Sequence, residues 1–85
     1  MSDHATDFKG SIPDAITAGI QAKLPDAVVA VSGSGGHFTI DVVSTGFAGL
    51  GLLAQQRLVL GAIAHLINGN MAPVHAVDKL TTRTP

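Results

Sequence analysis

The fold is decided by residues 32–44, SGSGGHFTIDVVS. A glycine-rich turn runs directly into a strand, with His37 at the junction. Phe38, Ile40 and Val42 alternate with Thr39, Asp41 and Val43, the period-2 pattern of a half-buried strand. Upstream, residues 27–31 (AVVAV) are a second β-rich run, and two such runs joined by a short Gly/Ser loop predict a hairpin. Strand one is expected over about 27–32 and strand two over 37–44.

Working outward, Ser11 opens a helix. It supplies a capping hydroxyl, Pro13 sits in the first turn, and Asp14 follows three residues after the cap. Ile12, Ala15, Ile16, Gly19, Ile20 and Leu24 form one apolar stripe, Lys23 complements the C-terminal dipole, and Pro25 stops the helix. Residues 1–10 lack periodicity and are expected to be a flexible tail with an idle His4, leaving 11–85 as the domain.

Beyond the hairpin, TGFAG (45–49) is a two-glycine corner around Phe47, which is expected to plug the end of the core. Residues 50–68 are helical. Val59, Ala62, Ile63, Leu66 and Ile67 share a face, but extending that stripe backward puts Gln55 and Gln56 on the buried side. The mismatch predicts a break near 54–57. Leu53 and Leu58 fall toward the polar side, where they would serve an oligomer or partner contact. Asn68, Gly69 and Asn70 suit a helix C-terminus. Residues 71–73 connect to a third strand over 74–82, begun by Val74 and His75.

The expected class is therefore α/β (α+β), with the order helix, strand, strand, helix, helix, strand. Strands one and two are antiparallel. Strand three returns after a helical crossover and pairs in parallel, so the helices cover one face of a three-stranded mixed sheet.

Composition narrows the function. Eighty-five residues make a single small domain with an aliphatic core, since the only aromatics are three Phe. Five scattered bases against six acids give a net charge of −1, with no basic block of the kind that nucleic-acid binding favours. With no cysteine, the chain makes no disulfide and offers no thiolate to a metal. The polar start has no secretory hydrophobic segment, and the apolar stretch 46–67 is interrupted by Gln55, Gln56, Arg57 and His65, so a cytoplasmic protein without membrane spans is expected. Motifs for a P-loop, a metalloprotease helix or a cysteine nucleophile are missing, and His37 and Asp41 stand too far apart along a strand for direct contact. The expected class is a non-enzyme.

Four islands, in order, resemble the BolA-like family: SGSGGHF (32–38) leading into VVS (42–44), FAG (47–49), LAQQRLV (53–59) and VHA (74–76). The resemblance spans about 12–84. It implies a BolA domain, related to class II KH domains, in agreement with the element order above. The family usually carries a basic residue where Gln55 stands and often a histidine where Gln56 stands.

The resemblance further implies a partner and a cofactor. BolA-like proteins similar to this one pair with a monothiol glutaredoxin and its glutathione, and the pair shares a 2Fe-2S cluster. The histidine of the VHA island, here His75, is implied as a metal ligand. A second ligand comes from the loop between strands one and two, where this chain offers His37. Mixed imidazole and thiolate ligation raises the cluster's potential over all-thiolate ligation, and a histidine ligand makes the site pH-sensitive and easier to disassemble than thiolate, which would suit transfer or sensing more than storage. Alone, the chain is expected to hold no cofactor and to be a monomer or weak homodimer. His65 is expected to be solvated. The rival reading is a DNA-binding transcriptional regulator of the BolA type, drawing on Arg57 and on the G-x-x-G patterns at 33–36 and 46–49.

Overall fold

A computed structural model describes residues 10–69 and 72–85. The expected tail over 1–10, with His4, lies outside the described residues except for Gly10, as do Asn70 and Met71 of the expected helix end and connector.

The elements are α1 (Ile12–Lys23), β1 (Val28–Ser34), β2 (His37–Val43), a 3-10 turn (Thr45–Phe47), α2 (Leu52–Ala62), α3 (Ala64–Ile67) and β3 (Ala76–Arg83). Their order is the expected one. β2 is the central strand, antiparallel to β1 and parallel to β3.

Local chemistry explains the elements. Ser11 caps α1, its Oγ accepting from the Asp14 amide at 3.3 Å. At the other end of α1 the Leu24 amide donates to Ile20 O, and Pro25 follows. The β1–β2 hairpin closes through the two-residue turn Gly35-Gly36, with φ of +62° and +85°. Positive φ at both central residues gives a turn whose twist matches the strands.

On β2, Phe38, Ile40 and Val42 are buried, while His37 and Thr39 on the opposite face are exposed. The helices pack on the buried face, where Ile16, Ile20 and Leu24 of the first helical segment meet Val59, Ile63, Leu66, Phe47 and Val74. Gly19 lets α1 come close to the α2–α3 junction, since a Cβ there would stand 3.0 Å from Ala62 O and 3.3 Å from Ile63 Cγ2. Phe47 is 1% exposed and fills the place expected of it.

Four expectations are corrected. The helix does not break near 54–57: α2 runs from Leu52 to Ala62, and the interruption falls at Ile63 (φ −116°, ψ 14°). No break is needed at Gln55 because its polar atoms are satisfied where they lie. Its Oε1 accepts from Thr82 Oγ1 at 2.7 Å and its Nε2 donates to Leu50 O at 2.9 Å. Leu58, expected toward the polar side, is partly buried against the core, whereas Leu53 is 60% exposed. β1 extends two residues beyond the expected end, to Ser34, and β3 starts two residues late, at Ala76. Val74 is not a strand residue; its amide donates to Leu66 O and its side chain is fully buried under the helices.

Candidate metal-ligand site at the hairpin edge

β2 and β3 begin side by side, which brings the two candidate histidines together. His37 is the first residue of β2 and pairs with Ala76. His75 lies one residue before β3 and is exposed. The connection is made by the hairpin tip: Gly36 O accepts the amide hydrogens of both His75 (2.7 Å) and Ala76 (3.0 Å). The imidazole rings lie with centroids 6.4 Å apart, their planes inclined at 59°.

His37 has a further neighbour. Its Nδ1 is 3.2 Å from Asp78 Oδ1, and both side chains are more than half exposed. Asp78 reaches it through an irregularity in the sheet. Phe38 pairs with Val77 and Thr39 with Lys79, so Asp78 is an extra residue of β3 without an opposite number. Such a bulge re-aims side chains locally. The bulge shows in the sequence only as the odd interval between Val77 and Leu80, which does not mark Asp78 as a site residue.

Other candidates fall elsewhere. His65 is exposed on α3, with its Cε1 near Gly19 of α1. The two G-x-x-G stretches are the hairpin tip and the 3-10 corner. Arg57 is exposed on α2, bordering a shallow apolar depression with Leu50, Leu53 and Leu58. A second shallow groove runs from His75 along β3, walled by Gln56, Leu60 and Ile67.

Away from the histidines, Asp26 ties the start of β1 to the end of β2. It accepts from Ser44 Oγ (2.6 Å), the Thr45 amide (2.8 Å) and Thr45 Oγ1 (2.7 Å). The Ser44 hydroxyl above all, then the Thr45 amide and hydroxyl, lower its pKa to about 2. On β2, Asp41 is also held below the usual carboxylate range, chiefly by the Thr81 hydroxyl and also by Arg83 at 2.8 Å.

This architecture recurs in known proteins. The family model described as BolA-like protein matches residues 18–85. The chain belongs to the BolA-like family. A BolA-like protein from Babesia bovis shares 31% identity over 91% of each chain, with a TM-score of 0.69. BolA1 from Mus musculus shares 27% identity, covering all of this chain and 80% of its own, with a TM-score of 0.67. BolA1 from Arabidopsis thaliana has the same fold at 20% identity, covering 91% of this chain and 95% of its own, with a TM-score of 0.76. No curated protein sequence matches. Among the described residues of this BolA-like chain, no helix is long and apolar enough to cross a membrane, and no group of three or more His, Cys, Asp or Glu is placed to hold a metal ion.

Proposed function

We propose that this BolA-like protein is a non-enzymatic adaptor. It binds a monothiol glutaredoxin carrying glutathione, and its histidines help ligate a shared 2Fe-2S cluster for iron–sulfur trafficking or iron sensing. The observation carrying this reading is the pair of exposed imidazoles, His75 and His37, 6.4 Å apart between ring centroids at one sheet edge. Imidazole is a good ligand for iron. Two exposed imidazoles at one edge can each offer a ring nitrogen to a cluster brought by a partner.

The donor set fits a shared cluster better than a resident one. The chain contains no cysteine, so any thiolate at this edge comes from a partner. When bound, the cluster supplies one-electron redox chemistry and a transferable unit of iron and sulfide. The chain's own part is to present two imidazole donors from one edge, with His75 pinned through its backbone to Gly36. The groove beside His75 along β3 gives a partner a continuous surface next to the ligands.

The test mixes the chain with a cluster-bearing, glutathione-loaded monothiol glutaredoxin and records visible absorption and circular dichroism. The wild-type chain should produce a new spectrum that His75→Ala abolishes. An unchanged spectrum, or the same new spectrum with His75→Ala, refutes ligation through His75.

A further inference from the structure

We infer that Asp78 is a positioning residue for His37, fixing its tautomer so that Nε2 faces outward as the ligand atom. The inference rests on the proposed function only for the identity of the metal; the tautomer is a property of the free chain. A carboxylate has no hydrogen to donate, so in the 3.2 Å contact the proton lies on His37 Nδ1. A neutral imidazole carries one such proton, and its lone pair is then on Nε2.

Metal-binding histidines commonly donate their second ring nitrogen to a carboxylate, which orients the ring and raises its basicity. Here the carboxylate comes from the bulge in β3. Phe38 pairs with Val77 and Thr39 with Lys79, so the extra residue stands beside the first residues of β2. His37 is an exposed side chain at the start of a strand, free to turn about two torsions without such a contact. Asp78 therefore makes a ligand of a residue whose position alone would leave its ring nitrogens undirected.

Histidine-selective nitrogen-15 NMR of the free chain reads the tautomer directly. His37 should carry its proton on Nδ1. Asp78→Ala should produce a mixture with Nε2–H, and Asp78→Asn, which keeps an acceptor oxygen, should retain most of the wild-type pattern. A wild-type His37 protonated on Nε2, or a tautomer that Asp78→Ala leaves unmoved, overturns the inference whether or not a cluster binds. In the cluster-bearing complex with the glutaredoxin, pulsed electron paramagnetic resonance of the reduced cluster counts coupled histidine nitrogens. Two are expected in wild type. Asp78→Ala should weaken the His37 coupling and shorten the cluster's lifetime about 10-fold, the lower end for loss of a supporting carboxylate. Two unchanged couplings in Asp78→Ala, or coupling from His75 alone in wild type, overturn the role of Asp78 and leave the proposed function standing. Absence of any histidine nitrogen in wild type refutes the proposed function itself, and the free-chain tautomer tells the two failures apart.

Discussion

The carbonyl oxygen of Gly36 accepts the amide hydrogens of both His75 and Ala76, so the backbone of one candidate ligand is fastened to the residue preceding the other. The hairpin tip is thus the part that sets the spacing of the two imidazoles. Gly36 has φ of +85°, a conformation that costs a residue with a side chain about 1–2 kcal/mol. Gly36→Ala should lower the unfolding free energy by about that amount and move His75 relative to His37. Chemical denaturation and ring-to-ring nuclear Overhauser contacts measure the two effects.

Gly33 should be the more demanding glycine. Its φ is +121°, and a Cβ there would collide with the His37 carbonyl oxygen and lie 2.9 Å from Phe38 Cα. Gly35 (φ +62°) opens onto free space. Gly33→Ala should therefore destabilise by about 2–3 kcal/mol, the upper range for a strained backbone position, and Gly35→Ala by about 1 kcal/mol. Equal losses in urea unfolding would contradict the steric account.

The Asp26 tie makes stability depend on pH with a definite sign. Its folded pKa is lowered to about 2, below the ordinary Asp value of about 3.9. Its contribution is complete above the ordinary value and is lost as pH falls through about 2. Asp26→Asn should be less stable than wild type at pH 6, and the gap should narrow from about pH 4 toward pH 2. Asp41 titrates in the same direction, so the difference between the two proteins, rather than the wild-type curve alone, isolates Asp26. A gap independent of pH would rule the tie out as the cause.

Gln55 sits on an inner helix face by virtue of two hydrogen bonds, one from Thr82 and one to Leu50. Gln55→Ala should cost about 1 kcal/mol and loosen the end of β3, visible as faster amide exchange near Thr82. By comparison Phe47→Ala, at a site 1% exposed, should cost about 3–5 kcal/mol. Leu53→Ser, at a site 60% exposed, should stay within about 0.5 kcal/mol. Thermal unfolding of the three variants checks the order.

Much of the fold was legible because its signals are local. Ser11, Pro13 and Pro25 mark both ends of α1. The alternation in Phe38, Ile40 and Val42 gives β2, and the adjacent glycines give its turn. What the sequence misplaced depends on partners distant in the chain. Gln55 reads as a defect in an apolar stripe until Thr82 stands opposite it. Ile63 interrupts the helix while remaining a fully buried member of the same stripe, so composition shows no seam there. Val74 looks like a strand residue because burial under helices and burial in a sheet select the same side chain. At the site, His37 and His75 were visible as residue types, and their approach followed from topology. Asp78 was not visible as a site residue, because the bulge shows in the sequence only as the odd interval between Val77 and Leu80, which does not say which residue is left unpaired or what it faces.

That same bulge resolves an oddity in the third strand. Val77 and Leu80 both pack against the core, yet they are three residues apart, an odd interval that a regular strand would send to opposite faces. The surplus residue between them resets the phase, so that Leu80 comes opposite Ile40. Were the bulge ironed out with Asp78 retained and the upstream pairing kept, Asp78 would come opposite Thr39 and Lys79 opposite Ile40, with its ammonium directed toward the hydrocarbon interior, whereas deleting Asp78 would leave Lys79 opposite Thr39 and Leu80 opposite Ile40 as they are. The bulge thus lets the strand carry one surplus residue, and with it the carboxylate beside His37, without moving Leu80 off the buried face.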